Sequence, residues 1–339
     1  MDTSDPEIRF DEQGYCNHCS DVFKNMNNII KKRENFDEKA FLHDVKQQGE
    51  KKKFDCVVGI SGGVDSCYVL HWVLEKGLRP FVIHIDNGWN TEISENNIQK
   101  IVDKWGVELH KYVVDWDEFS DLQKAFLKSG TPDFEIPTDH MIMPILGMYA
   151  HKLGCKYIIT GQNDSSESIL PRMWSHGHRD WKYIKNIQKM FGTRKLKKYP
   201  HFTNRDLNYF NRKFNWFNLL NHIDYDKEKA KKYLMGEYDW VDYGGKHYES
   251  MYTRFGQAYI LPEKFGYDKR RAHYSSLIVS NQMTREKALE LLEEPLYAEE
   301  ALKADRELFL RKLSISESEF KDIMNGPNRS YWDYPNSEE

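Results

Sequence analysis

Residues 54–66 read FDCVVGISGGVDS, and the run CYVLHWVLEKG follows at once over 67–77. A short stretch of β-formers delivers the chain into a Ser-Gly-Gly turn, and a helical run takes over behind Ser66. Glycines at 62 and 63 let backbone N–H groups approach an anion closely, Ser61 and Ser66 add hydroxyl donors, and the following helix presents its positive N-terminus. The stretch therefore reads as a phosphate cradle. A G-x-x-x-x-G-K-[ST] loop would carry a lysine for the β- and γ-phosphates, and residues 59–66 contain none. The chemistry expected here is not transfer of a γ-phosphoryl group.

Outward from the cradle, strand-like and helix-like runs alternate: FVIHIDNG, SENNIQKIVDKWG, ELHKYVVD, MIMPILGMYAHKLG and KYIITGQ. This β-α-β-α-β-α-β order predicts a doubly wound α/β fold, a parallel sheet covered on both faces, with its ligand crevice at the carboxyl ends of the strands. Three segments fall at that crevice: SGGVDS, HIDNGW with Asp86, and TGQNDSSES with Gly161, Gln162 and Asn163. Asp86 reads either as a nucleotide contact or as the opening residue of an Asp-Asn-Gly turn, and Gly161 and Gln162 either as site residues or as a plain turn. Asp65 reads as a Mg²⁺ ligand or water anchor beside a pyrophosphate, with helix capping as the simpler alternative.

The chain has 339 residues, 40% hydrophobic and 14% aromatic, enough for one large or two ordinary cores. Four segments are expected: residues 1–50, a Cys-x-x-Cys (Cys16, Cys19) and a polar helical lead-in; 51–178, the α/β unit that carries the phosphate cradle; 179–235, a basic aromatic helical insertion; and 236–339, a mostly helical substrate or partner region. From Arg179 to Lys232 there are 15 Lys/Arg against 5 Asp/Glu, whereas from Glu286 to Glu339 there are 7 against 14. Aromatics such as Trp181, Tyr199 and Phe214 interleave with the cations of the basic stretch, which suits a polyanion, a nucleotide ligand or a partner surface, or else a solvated helical face. The net charge of −4 gives no general attraction to nucleic acid. No apolar run is long enough to span a bilayer, the start MDTSDPEIRF is too polar for a signal peptide, and five scattered cysteines form no disulfide framework, so a cytoplasmic address is expected. Residues 243–297 are dense in charge beside glycine; Lys246, His247, Glu249, Arg254, Lys269, Arg270, Arg271 and His273 are candidate phosphate or carboxylate contacts or their support.

SGGVDS after a strand resembles the PP-loop of the ATP pyrophosphatase superfamily, whose fold is of the adenine nucleotide alpha hydrolase kind. Together with MDTSDPEIRFDEQGYCNHC, HIDNGWN, GGKHYES, LPEKFGYDKRRAHYSSLI and TREKALELLEEP, nearly the whole chain resembles the N-acetyl sugar amidotransferases of surface polysaccharide (O-antigen) biosynthesis. That resemblance implies an ATP- and Mg²⁺-dependent enzyme. An acetamido oxygen of a nucleotide sugar attacks the α-phosphorus, pyrophosphate leaves, and ammonia displaces AMP to give an acetamidino group. It places Ser61, Gly62, Gly63, Asp65 and Ser66 on the pyrophosphate and metal and makes Lys246, His247 and Arg254 candidates for the sugar nucleotide or its amide, while position beside the cradle makes Asp86, Gly161 and Gln162 candidates for the nucleotide.

The same resemblance implies a separate glutaminase subunit as ammonia source, with a cyclase-like companion, since no cysteine here lies in a G-x-C-x-G setting. Relatives commonly carry another Cys-x-x-Cys upstream of the stretch matching MDTSDP, which with Cys16 and Cys19 would make a four-cysteine structural zinc site. Two ligands do not close a tetrahedron, so a missing upstream pair, help from Cys56, Cys67 or His18, and no zinc at all stay open as readings. Related enzymes are frequently dimers, and the aromatic content permits such an interface. The rival readings are a PP-loop tRNA thiolase, kept alive by the basic segment, and a nucleotide-sensing scaffold protein.

Overall fold

The computed structural model describes residues 1–338, with side-chain surroundings described outside residues 25–29. Five parallel strands, β1 (Cys56–Gly59), β2 (Pro80–Asp86), β3 (Leu109–Val113), β4 (Tyr157–Thr160) and β5 (Asn215–Asn218), lie in the order β3-β2-β1-β4-β5. Side chains alternate across this sheet as the pleat demands. Val57, Phe81, Ile83 and Ile158 enter one core with helices Trp116–Ser129 and Ile136–Leu153. Cys56, Val58, Val82 and Ile159 enter the other with helices Val64–Glu75, Glu92–Trp105 and Lys227–Tyr238. Val57, Val58, Ile158 and Ile159 are fully enclosed, each such burial contributing about 1.5–3 kcal/mol before chain entropy is counted. The doubly wound α/β architecture expected from the alternating runs is present.

From β1 the chain winds outward to β2 and β3, then returns across the opposite face to β4, on the other side of β1. The point where winding reverses lies between β1 and β4, and the loops leaving their carboxyl ends are SGGVDS and TGQND.

One segment departs from the sequence reading. The segment 179–235, expected to be a helical insertion, supplies β5 to the edge of the sheet beside β4. Its aromatics also go inward: Tyr183, Tyr199, Phe202 and Phe214 are buried, and Trp181 stacks on His201 with ring centroids 4.0 Å apart. Burial of apolar rings outweighs their use as a surface for polyanions. The lead-in before residue 50 forms two helices, Asn17–Glu34 and Glu38–Gly49, capped by Cys16 and Asp37.

The C-terminal part is mostly helical, with helices at Met251–Phe255, Lys269–Val279, Arg285–Glu293, Glu299–Leu313 and Glu317–Asn325. It is stitched to the loop after β2: Thr91 N donates to Glu249 O at 3.0 Å, Met251 N donates to Trp89 O at 2.9 Å, and Asn90 and Ser250 form an antiparallel bridge. Among the described residues no helix is long and apolar enough to cross a membrane.

Candidate active site

The cradle is built from its own hydroxyls. Ser66 Oγ accepts from Ser61 N at 3.1 Å and donates to Gly63 O at 3.1 Å, while Ser61 Oγ accepts from Gly63 N at 3.3 Å. Gly62 has φ +86°, and a β-carbon there would stand 2.4 Å from the Ser94 carbonyl oxygen, so only glycine makes this turn without displacing the helix Glu92–Trp105. Trp240 Nε1 donates to Gly62 O at 3.2 Å and fixes the turn from its other side. Gly63 caps the helix Val64–Glu75 with no side-chain hydrogen bond, leaving backbone N–H groups of the first turn to serve an anion.

The loop after β4 closes on the same point. A β-carbon on Gly161 would lie 3.0–3.2 Å from the Asp65 and Ser66 backbone, so the two loops touch because glycine lets them. Asn163 caps the following turn by accepting from Ser166 N, and Gln162 lies exposed beside it. Asp86, at the end of β2, accepts from Gly88 N at 2.9 Å. It therefore opens the Asp-Asn-Gly turn, and among the described residues no hydrogen bond or ion pair joins its side chain to the cradle. Asp65 accepts a hydrogen bond from Tyr225 OH, a neighbour that nothing in the motif announces.

Over the cradle stands the C-terminal part of the chain. Ser61 Oγ donates to Glu249 Oε1 at 3.2 Å, and Val64 N donates to Tyr243 OH at 3.4 Å. Lys246 Nζ donates to Ser166 O at 2.9 Å and to Ser166 Oγ at 3.0 Å, and pairs with Glu167 Oε1 at 3.0 Å. His247 lies 3.6 Å from Glu167 Oε1 and 3.9 Å from Glu249 Oε1, with its backbone at φ +63°, and its ring centroid is 6.1 Å from that of His273. Lys246 and His247 are thus joined to the cradle through Glu167 and Glu249. Burial pushes the Glu167 carboxyl up, but Lys246 and His247 pull it further down, below the usual carboxylate value. Burial likewise lowers the Lys246 ammonium, against the pull of Glu167. His273, partly buried and facing Lys246, His247, Lys269 and Lys227, is held well below its ordinary value by burial first and those cations second.

Arg254 is not part of this group. Its guanidinium makes a two-pronged pair with Asp305, Nε to Oδ2 at 2.7 Å and Nη2 to Oδ1 at 2.9 Å, and Tyr297 OH donates to the same carboxylate. A guanidinium so engaged has a structural task, tying Met251–Phe255 to Glu299–Leu313, in place of the substrate contact expected for it. Arg270 is similarly spent on Asp268 and on the carbonyls of Leu291 and Glu294.

Cys16 and Cys19 do meet, with Sγ atoms 3.4 Å apart, but His18 turns to Asp5 at 2.5 Å. Cys56 and Cys67 belong to the sheet core, where burial pushes both thiols up. Among the described residues no group of three His, Cys, Asp or Glu is arranged to hold a metal ion, so the residues present do not fit a tetrahedral zinc site. Magnesium is different, since it needs one or two carboxylates, with phosphate oxygens and water completing its shell. Asp65 and Glu249 fit that need; Glu249 Oε2 is enclosed and has no hydrogen-bond partner among the described residues.

Comparison with known proteins agrees with this geometry. Residues 55–190 match the family model of the queuosine biosynthesis protein QueC, and residues 249–338 match that of the LPS biosynthesis protein WbpG-like C-terminal domain. No curated protein matches the chain. Among solved structures, NMN synthetase from Francisella tularensis aligns with 14% identity and a TM-score of 0.40 over 83% of this chain and 98% of that one. A glycine-built phosphate cradle at the switch point of a parallel sheet, without a P-loop lysine, and the QueC match over the same segment support an ATP-using enzyme of the PP-loop kind. The chain thus joins a segment similar to QueC to a C-terminal segment similar to the WbpG-like domain of LPS biosynthesis proteins.

Sequence reasoning passed over Tyr225, Tyr243 and Glu167. Glu167 stood within TGQNDSSES, one helical turn beyond the Asn163 cap, where a carboxylate returns toward the loop; the tyrosines carry no local signal.

Proposed function

We propose that this protein is an ATP-dependent amidotransferase that converts the N-acetyl group of a nucleotide sugar into an acetamidino group for surface polysaccharide, with a separate glutaminase subunit supplying ammonia. The observation that carries this reading is the contact between Glu249, first residue of the WbpG-like match, and Ser61 of the cradle. It supports a reading in which the cradle and the WbpG-like part of the chain serve one reaction.

An amide carbonyl is a poor electrophile until its oxygen carries a leaving group, and attack of that oxygen on the α-phosphorus of ATP supplies one. The cradle's N–H and hydroxyl groups hold the departing pyrophosphate. Bound Mg²⁺ would spread the charge of the phosphates. Lys246, held by Glu167 and Ser166, fixes the loop after β4 against the C-terminal part, and the half-exposed His247 beside Glu167 is placed to orient the acetamido group. No side-chain nucleophile is required, and the positioned groups act through electrostatics.

The test incubates the protein with Mg-ATP, ammonium chloride and a panel of UDP- and CMP-linked N-acetyl sugars, following pyrophosphate and product mass. Pyrophosphate release that depends on one sugar, with oxygen replaced by NH in the product, is expected and is lost in Asp65→Ala. Release that depends on tRNA and ignores every sugar would replace this reading with the thiolase one.

A further inference from the structure

Glu135 and Asp139 stand one turn apart at the start of the helix Ile136–Leu153, Asp139 N donating to Glu135 O at 3.1 Å. Glu135 is only 9% exposed. Its Oε2 accepts from Thr253 Oγ1 at 3.0 Å, whereas its Oε1 is enclosed with no hydrogen-bond partner among the described residues. Thr253 N in turn donates to Ser250 Oγ at 3.3 Å, next to Glu249, so the acidic pair lies against the segment that carries Lys246, His247 and Glu249. The charged groups facing it are Asp133, Lys269, His247 and Glu167. Burial, and then its like-charged neighbour Asp139, pushes Glu135 up to about 8, whereas Asp139 itself lies exposed on the helix.

An enclosed carboxylate oxygen without a donor is costly and calls for a small polar ligand that can supply one. The reaction proposed above needs such a ligand: ammonia arrives largely as ammonium, a cation with four N–H donors that must lose a proton before its nitrogen can attack. A carboxylate whose proton affinity is raised toward that of an amine accepts this proton at little cost, which an ordinary surface carboxylate does not.

We propose that Glu135 and Asp139 form the ammonium-receiving site of this enzyme, Glu135 Oε1 accepting a hydrogen bond from the ion and then its proton. The inference rests on the amidotransferase reading. Ammonium and the carboxylate become NH₃ and carboxylic acid. The nitrogen lone pair forms the C–N bond, and the C–O bond to AMP breaks with its electron pair going to the phosphate oxygen. The product keeps its extra proton as an amidinium, and the carboxylic acid releases its own to water.

The experiment uses the full chain and two isosteric variants, Glu135→Gln and Asp139→Asn, with ammonium chloride as nitrogen donor. Sugar-dependent exchange of pyrophosphate into ATP reports activation alone, and amidine formation reports both steps. Expected is a loss of about a hundredfold in kcat/KM for ammonium in Glu135→Gln, a smaller loss in Asp139→Asn, and exchange preserved in both. Unchanged ammonium dependence overturns the inference, as does an equal loss in both assays, which would mark a structural role. A wild-type protein that exchanges pyrophosphate but forms no amidine with any sugar defeats the amidotransferase reading itself, and this inference with it.

Discussion

Replacing Lys246 by methionine removes the cation that holds Glu167 beside the cradle. The lysine side chain is 9% exposed and the carboxylate 32%. Removing one member of a buried pair costs about 3–5 kcal/mol, because the other charge is left uncompensated. The partial exposure of Glu167 lets water recover some of that, while two hydrogen bonds to Ser166 are also lost, so a loss of about 2–3 kcal/mol is expected. Glu167→Gln made in the Lys246→Met background takes away the orphaned charge and should restore about half of it, about 1–1.5 kcal/mol, so the coupling between the two sites is that gain plus whatever Glu167→Gln costs alone. Urea unfolding followed by tryptophan fluorescence measures all four proteins. The pH dependence supplies a second readout. Glu167 is held below its ordinary value of 4.5, so its contribution to stability is present above that pH and lost as pH falls through the lower folded value. In Lys246→Met burial is opposed chiefly by His247, so this acid limb should vanish or reverse, with stability falling as pH rises above 4.5. A Lys246→Met protein as stable as wild type, or single-variant losses that simply add in the double variant, would refute the reasoning.

Gly62→Ala puts a β-carbon at φ +86° and 2.4 Å from the Ser94 carbonyl, so it should destabilise by about 2 kcal/mol or more and raise the KM for ATP, as thermal unfolding and pyrophosphate release will show. Arg254→Met should cost about 2–3 kcal/mol through its orphaned partner Asp305, with the KM for ATP unchanged; a selective rise in KM would return Arg254 to the site. Tyr225→Phe removes the hydroxyl that donates to Asp65 and should shift the Mg²⁺ dependence of ATP binding in calorimetric titration by about five- to tenfold, an effect of about 1–1.4 kcal/mol. His273 is depressed below 6.5 in the folded protein, so the unfolded chain takes up a proton there first. Stability should be unaffected above that pH and fall by up to about 1.4 kcal/mol per unit below it, and His273→Gln should flatten that slope.

The parallel sheet and its crevice were legible because β1, β2 and β4 are short apolar runs ended by turn residues, and because SGGVDS announces both a strand end and a helix start. Strand β5 was not: NWFN is four residues long, half apolar, and set among lysines and arginines, so only its bonds to β4 make it a strand. The helix Trp116–Ser129 carries an ordinary signal, Asp115 as cap and Phe119, Leu122 and Phe126 on one face, and belongs beside the other crossover helices in any reading of the sequence. Arg254 shows the limit of residue-type reasoning at a site. Its chemistry suits an anion, but which anion is decided by Asp305, fifty-one positions away. Glu249 shows the converse, an acidic residue set over an anion cradle, which only the folding of the C-terminal part onto the loop after β2 brings about.

That stitching of residues 89–91 to 249–251 has a consequence for anyone recombining such enzymes. The two segments recognised by separate family models share backbone hydrogen bonds at the rim of the reaction centre, so a chimera joined between them inherits a mismatched seam unless the donor's HIDNGWN loop travels with its C-terminal half. Exchange of acceptor preference between relatives is then a graft of two pieces, a seven-residue loop and a helical cap, moved as one inheritance unit.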